Sequence, residues 1–528
     1  MSWFDRFRRQ KRPRQKMKSG PRSPDRRAYD AAGDGYRTSG WQTSGQSANA
    51  EVAAGLGRTR ERSRDLVRNT AWGRRAIEAL VCAMIGPGIR PMLNTGDEAL
   101  DRRVQNLWDA WSPSCYSANR SNIYTLQSLI ARAFFESGEC LVRRVIRPVS
   151  DMPGLPPLQL QVIEGDLLDH TYRETPKTGS SHQIIQGIEF DADNHRVAYH
   201  LYRNHPGDTY GGFALERVSV PASEILHLYQ EGRPGQVRGI PWLHAVIPAV
   251  WDLAGYSDSE RVRAKCAASV MAFVTGGDPE SGVPSGVDGM APAIDSDGAL
   301  VTDTSGNPIE HITPGWIAHL PIGKDVVFNH PGTADGYSDY VRASLKEISA
   351  GIGLSYATLT GDMSDSNFAQ SKLGQNQQNQ LIRSLREQVF VPMVMAPIWR
   401  WWVDLGIAAG LLPDAAEIYD TAWSQPQAVS VDRLADAQAD KIEMRNATRC
   451  RREIIAASGR DPDDVDREIE KDQENRDRMG IVTDGDPRQT TNAGLTPAGL
   501  DATENRSDLA RPHPPGRIIE MSRGDADE

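Results

Sequence analysis

"WLHAVIPAVWDLAGYSDSERVRAKCAASVMAFVT" (residues 242–275) decides how the chain is read. Leu243, Val246, Val250 and Leu253 recur at helical spacing and Val262, Cys266 and Val270 continue it, so the stretch predicts one long helix. Pro248 either kinks that helix or marks its true start. It runs straight into "GGDPESGVPSGVDGMAPAIDSDG", where Gly and Pro abolish helical continuation, and "HITPGWIAHLPIGKDVVFNHPG" restores short strands. "YSDYVRASLKEISAGIG" (337–353) is helical again. Two helices flanking a strand-bearing insertion make a hairpin with a small module at its tip.

Upstream, "RTRERSRDLVRNTAWGRRAIEALVCAMIG" predicts a helix that Gly86-Pro87-Gly88 ends. "DRRVQNLWDAWS" places Val104, Leu107, Trp108 and Trp111 on one side of a second helix. "NIYTLQSLIARAFFESGE" groups Leu126, Leu129, Ile130 and Ala133 on a third, which stops at Gly138. "CLVRRVIR", "LQLQVIEGDLL", "IIQGIEFDADNHRVAYHLYR" and "ALERVSVPASEILHLYQ" are strand-like, with a hairpin turn at Asp191 to His195. Downstream, "GIGLSYATLTGDMSDSNFAQSKLGQNQQNQ" (351–380) reads as a long polar loop. A long helix from Leu381 follows, then two further helices in "VDRLADAQADKIEMRNATRCRREIIAASG". The fold class is α+β, largely helical.

A chain of 528 residues splits into several domains. Its formal net charge of −10 argues against a protein that coats nucleic acid. The charge is uneven: "MSWFDRFRRQKRPRQKMKSGPRSPDRR" is a basic arm, while "GRDPDDVDREIEKDQENRD" and the final "RGDADE" are acidic. Such blocks read as solvated or disordered tails. The five cysteines lie far apart without a CxxC and read as reduced, mostly buried thiols. The basic N-terminus lacks an apolar core, so no signal peptide is expected. The most apolar stretch, 389–403, is short of a membrane span and contains Pro392, Pro397 and Arg400.

Catalytic patterns fail one by one. "GIG" at 351–353 lacks a following Gly-Lys-Ser/Thr and trails a helix, so it reads as a helix stop rather than a phosphate loop. Ser355 in "GLSYA" lacks the second Gly and the preceding strand of a nucleophile elbow, so it reads as a capping or exposed serine. Asp362 and Asp365 lack the spacing of a calcium loop; Asp365, Ser366 and Asn367 suit an N-cap. The eleven histidines include no HExxH and no Cys/His pairing. No catalytic residue, metal or cofactor is expected.

Five segments then stand in a telling order: "RNTAWGRRAIEALVCAMIGPGIRP", "SANRSNIYTLQSLIARAFFESGECLVRR", "HPGD", "VPASEILHLYQEGRPGQVRGIPWL" and "LTGDMSDSNFAQSK". Together they resemble the lambda-type family of tailed-bacteriophage portal proteins, from about residue 58 to about residue 425. The resemblance implies a homo-oligomeric ring, typically a dodecamer, at one capsid vertex in the virion. Its implied partners are double-stranded DNA passing without sequence specificity, the terminase large subunit, the major capsid protein or scaffold, and head-tail adaptors, with no membrane.

The implied layout is a disordered basic arm (1–57), an α+β wing (58–241), a first stem helix (242–275), a clip (276–335) and a second stem helix (336–354). A tunnel loop (355–380), a long helix with its following segment (381–425), a helical crown (426–480) and a disordered tail (481–528) complete it. Moving DNA needs weak contact, and amides or isolated cations can touch a backbone without holding it. Asn367, Gln370, Lys372, Gln375, Asn376 and Gln377 are therefore the channel-lining candidates, Lys372 being the only cation between Gly361 and Leu381. Arg261, Arg263 and Lys265 on the first stem helix either face DNA or bridge to a neighbour's acids such as Asp258 or Glu260. Trp399, Trp401 and Trp402 read as core or interface anchors, since duplex DNA exposes no free base faces. The competing readings are a particle-associated enzyme (capsid protease or nuclease), which needs a clustered nucleophile or carboxylates, and a monomeric minor capsid or adaptor protein, which needs no stem.

Overall fold

The computed structural model describes residues 40–41, 43–117, 121–175, 182–208, 216–268, 336–363, 368–424, 433–458 and 462–481. Residues 272–275, 291–292, 310–311, 325–328, 426 and 460 complete the described set. The expected N-caps at Asp365 to Asn367, most of the 276–335 insertion, residues 1–39 of the basic arm and residues 482–528 of the tail lie outside it, whereas the acidic run at 459–477, expected as a solvated or disordered block, is largely helical.

The first predicted helix is two. Helix α1 (Ala48–Asn69) and helix α2 (Ala71–Ile85) meet at Thr70, whose backbone is extended. The Thr70 hydroxyl donates to the Leu66 carbonyl at 2.6 Å and accepts from the Gly73 N–H at 3.1 Å, so one side chain closes the first helix and caps the second. Helix α1 also begins inside the segment expected to be a disordered arm. Ser47 caps it, and Ala48, Val52 and Leu56 are buried at helical spacing.

Strand β1 (Pro91–Met92) and helix α3 (Glu98–Trp111) follow. Helix α4 (Ile123–Ser137) is capped by Asn122 at its start, and at its end by Gly138 at φ +87°. Val104, Trp108 and Trp111 are buried as their spacing predicts, but Leu129 is 43% exposed. The α4 core stripe is instead Leu126, Ile130 and Phe134, one helical face that leaves position 129 outside.

Strands β2 (Glu139–Ile146) and β3 (Leu158–Glu164) come next, then β4 (Gln183–Ile185), β5 (Ile188–Phe190), β6 (Arg196–Tyr202), β7 (Arg217–Pro221) and β8 (Ile225–Tyr229). They form two antiparallel sheets, β3-β2-β8 and β4-β5-β6-β7. The β5–β6 turn is the predicted one, with the Asp191 carboxylate accepting from the Asp193 and His195 N–H groups.

Helix α5 (Ile247–Ala268) starts later than expected, with Pro248 in its first turn after a 3₁₀ turn at Trp242–Ala245. Its predicted end is also corrected: Ala272–Thr275 is strand β9, where Phe, Val and Thr favour extension. Strands β10 (Ala291–Pro292), β11 (Glu310–His311) and β12 (Asp325–Phe328) lie in the insertion, and β9 pairs with β12 in antiparallel register. Helix α6 (Tyr337–Ile352) returns, followed by α7 (Tyr356–Thr360) and α8 (Phe368–Leu385).

Helix α8 continues through a π-helical stretch at Arg386–Met395, which carries Pro392, into helix α9 (Ala396–Ala408). Strand β13 (Ala422–Trp423) pairs with β1. The two helices expected in 431–459 are α10 (Arg433–Arg445) and α11 (Arg451–Ala457), and a further helix, α12 (Pro462–Met479), follows them. Pro462 suits the start of α12, since proline is favoured in the first turn.

The main core is built by α1–α4, β2, β3, α5–α9 and their connections. At its centre Trp108, Trp111, Trp399 and Trp402 are buried with neighbouring ring centroids 4.9 to 5.3 Å apart around Trp108. Trp111 and Trp399 donate to the Leu158 and Ile418 carbonyls, and the half-buried Trp401 lies under Arg144. A smaller core lies between the two sheets, around Leu141, Ile188, Tyr199 and Ile225. Cys115 and Cys140 are buried as expected, whereas Cys82 and Cys450 are exposed. Among the described residues no helix is long and apolar enough to cross a membrane.

Candidate channel interface

The α5–α6 hairpin is anchored where it leaves the core. Trp242 Nε1 donates to the Ile352 carbonyl at 2.7 Å, tying the turn before α5 to the end of α6. Farther out, Tyr256 packs against Tyr337 and Tyr340, with centroids 5.7 and 4.5 Å away. The 3-residue sequence "GIG" is the helix stop that its surroundings predict. Gly353 adopts φ +81°, its N–H closes on the Ser349 carbonyl at 3.0 Å, and a Cβ there would overlap Leu381. Ser355 is a cap, its hydroxyl accepting from the Thr358 N–H at 3.1 Å.

The predicted tunnel loop is largely helix. Residues 368–380 belong to α8, because Ala, Gln, Lys and Leu are good helix formers and Gly374 is the only breaker. The amide-rich run therefore has sides. Gln378 is buried and its Oε1 accepts from the Ser355 N–H at 3.0 Å, so it holds α8 on the α6–α7 turn. Leu373, Asn376, Gln377 and Gln380 share the exposed side.

The channel candidates divide accordingly. Asn376 and Gln377 are exposed and Gln375 is half-buried, while Asn367 and the Gln370 side chain lie outside the described residues. Lys372 is 43% exposed, and its Nζ lies 3.7 Å from Asp436 on α10. On α5, Arg261 pairs with Asp258 at 2.6 Å and Arg263 with Glu260 at 2.8 Å, both one turn apart on the same helix. Lys265 is exposed near the end of α5. An exposed strip of amides beside one half-exposed cation can exchange hydrogen bonds with a phosphate backbone while carrying little net charge.

A buried ionic centre positions the sheets on which the hairpin stands, and the sequence did not single it out. Glu139, fully buried at the start of β2, accepts from Arg238 Nε at 2.9 Å, from a second Arg238 nitrogen, from Arg60 at 2.8 Å and from the Gly239 N–H at 3.1 Å. His227 Nε2 lies 3.1 Å from its other oxygen. Burial alone would raise the Glu139 carboxyl, but Arg238, the His227 hydrogen bond and Arg60 outweigh it and hold it well below the usual range. Burial pushes His227 down to about 4, so at neutral pH the ring is uncharged and donates from Nε2.

Backbone contact makes this centre possible. A Cβ on Gly239 would overlap the Gly138 carbonyl, so "ESGEC" and "QVRGIP" cross without side chains between them. These are two of the segments that carried the resemblance. A second long-range tie joins α2 to the long helix. Arg386 is buried and donates to the Ala83 and Met84 carbonyls at 2.8 Å, satisfying orphan acceptors at the α2 C-terminus.

A helical hairpin with a strand-bearing tip, set on an α+β body beside a polar helix, suits a structural channel component. Residues 34–386 match the family described as phage portal protein, lambda family. The chain belongs to that family: it is a phage portal protein. The probable portal protein of Halomonas phage phiHAP-1 is 26% identical over 443 residues, covering 80% of this chain and 81% of that one. Portal protein B of Escherichia phage lambda is 20% identical over 387 residues, covering 66% and 69%. The neck of a native gene transfer agent particle, computed with C12 symmetry, is a solved structure similar at 14% identity. It covers 77% of this chain and 93% of that one, with a TM-score of 0.41.

Proposed function

We propose that this portal protein assembles as a homo-oligomeric ring, a dodecamer, at one vertex of a phage capsid. Double-stranded DNA driven by the terminase large subunit enters through the ring and later leaves through it toward head-tail adaptors. The body at 58–241 is the wing, α5 and α6 are the stem, 276–335 is the clip and 426–480 is the crown. The major capsid protein or scaffold meets the wing, and the chain performs no catalysis of its own.

The observation that carries this reading is the α5–α6 hairpin, anchored at its base by Trp242 and held at its far end by the β9–β12 pairing. The exposed side of α8, with Asn376 and Gln377, is the DNA-facing surface; Lys372 lies beside it, and Arg383, paired with Glu387, stands farther along the helix. Electron microscopy of the purified full-length protein tests the reading. Rings with a central hole are expected; compact single particles at every concentration would reject it.

A further inference from the structure

A cavity of about 310 Å³ lies in the body between the start of α1 and β4, the edge strand of the four-stranded sheet. Ser47, Asn49, Arg173, Gln183 and Gln186 are among the residues that line it. Helix α1 is 22 residues long, and the N–H groups of its first turn have no acceptor within the helix. Ser47 Oγ accepts from the Ala50 N–H at 3.3 Å, which leaves its own O–H to donate. Glu51, the acid of that first turn, is held by Arg233 at 2.7 Å. The start of α1 thus offers donors and the positive end of the helix dipole.

Across the cavity, Glu174 and Ile184 exchange backbone hydrogen bonds at 3.0 and 2.8 Å, which adds an extended segment to the edge of β4. Side chains alternate along such a segment. Glu174 takes the Tyr172 hydroxyl at 3.1 Å on one face, so Arg173 stands on the other. Arg173 is exposed and has no partner among the described residues. Gln186, in the β4–β5 turn, is fully buried. Its Nε2 donates to the Asn49 carbonyl at 2.6 Å, so reversing the amide would set oxygen against oxygen. That orientation leaves Gln186 Oε1 buried with no hydrogen-bond partner among the described residues.

A bare anion would satisfy α1 and Arg173 but turn oxygen toward Gln186 Oε1, and a cation would do the reverse. A group with charged oxygens and a hydroxyl of its own satisfies all three. We propose that this cavity binds a phosphate group in its hydrogen-bearing form, either inorganic phosphate or a phosphate monoester. Its O–H donates to Gln186 Oε1, and its other oxygens accept from the Ser47 hydroxyl, the first turn of α1 and Arg173. A phosphodiester has no such hydroxyl, so a DNA backbone is not the ligand. The site uses neither the α5–α6 hairpin nor α8, and its occupation ties α1 to the four-stranded sheet.

Calorimetric titration of the full-length protein at about pH 6 and matched ionic strength tests the site, with inorganic phosphate, glycerol 3-phosphate and sulfate as probes. At that pH inorganic phosphate carries a proton, and so do about half of the monoester molecules. Phosphate should bind saturably, whereas sulfate, the same shape without a proton, should bind at least about tenfold more weakly. Arg173→Ala should weaken phosphate binding about tenfold while leaving the thermal midpoint without phosphate unchanged, since the side chain is exposed. Gln186→Leu removes the acceptor and should bring phosphate down to the level of sulfate. If that variant does not fold, the parent's preference for phosphate over sulfate and the Arg173→Ala result decide the question. Tighter binding of glycerol 3-phosphate than of phosphate assigns the site to monoesters, and the reverse order assigns it to the free ion. No saturable phosphate binding, equal affinity for phosphate and sulfate, or phosphate binding unchanged in Arg173→Ala overturns the site.

Discussion

Glu139 and His227 show how much rests on single buried groups. His227 ordinarily titrates near 6.5 and is held at about 4 in the fold, so the unfolded chain binds its proton more readily. Its contribution is therefore fully present above about pH 6.5 and is lost as the pH falls from there to about 4, amounting to about 3 kcal/mol. His170, also held low mainly by burial, acts in the same direction. Glu139 adds its loss only below the ordinary carboxylate range, because its folded value is depressed. The thermal midpoint should thus fall steadily between pH 6.5 and 4, and His227→Gln, which keeps a donor toward Glu139 without a titrating ring, should flatten that fall. An unchanged slope in the variant would assign the acid sensitivity elsewhere. Residues whose roles are local were legible in the sequence: Gly353 as a helix stop, Ser355 as a cap and Asp191 as a turn former each act within a few positions. Glu139 was not, because its partners Arg60 and Arg238 are 79 and 99 positions away and no periodicity marks them.

Elements were legible where apolar spacing controlled them and obscure where polar packing did. The stripe of α3 and the first half of that of α5 follow from Val, Leu and Trp at helical intervals, and the structure buries Val104, Trp108, Trp111, Val250 and Leu253, whereas Val262 farther along α5 is 59% exposed. Helix α8 was read as a loop because its amides carry no apolar stripe before Leu381, and what fixes its orientation is Gln378 beneath Ser355. Its first cation, Lys372, has a specific neighbour. The Lys372–Asp436 pair is about half exposed at both ends, so its loss should change stability by less than about 1 kcal/mol. On the proposed channel reading, Lys372→Glu should leave folding and ring assembly intact while lowering the DNA content of assembled particles. The Lys372→Glu, Asp436→Lys double variant rebuilds the pair with signs exchanged and should remain low in DNA. Recovery in the double variant would assign the effect to the α8–α10 contact, and normal DNA content in the single would remove Lys372 from the channel surface.

At the scale of the whole molecule, apolar burial among the described residues is concentrated in one large core, which takes in the body, the hairpin base and α7–α9, and one small core between the two sheets. The division into body, hairpin and C-terminal helices was legible because Gly/Pro-rich and charge-rich stretches interrupt the periodic segments. The contacts that lock the parts together, such as Arg386 on the α2 carbonyls, were not, since they join residues about three hundred positions apart. The insertion at 276–335 is the exception to this economy. Its sequence, rich in Gly, Pro, Ser and Asp, offers few large apolar side chains, and a stretch of that length is near the lower limit for a self-sufficient core. Its strands β10 and β11 pair only with each other among the described residues, and β12 is anchored by β9 at the end of α5. A module of this kind gains its missing burial from neighbours, which a closed ring supplies on both sides. The isolated 276–335 fragment should therefore show no cooperative thermal transition by circular dichroism or calorimetry, whereas the same segment in assembled rings should resist proteolysis. A sharp transition in the fragment alone would show that it carries its own core, and the neighbouring subunits would no longer be needed to explain its stability.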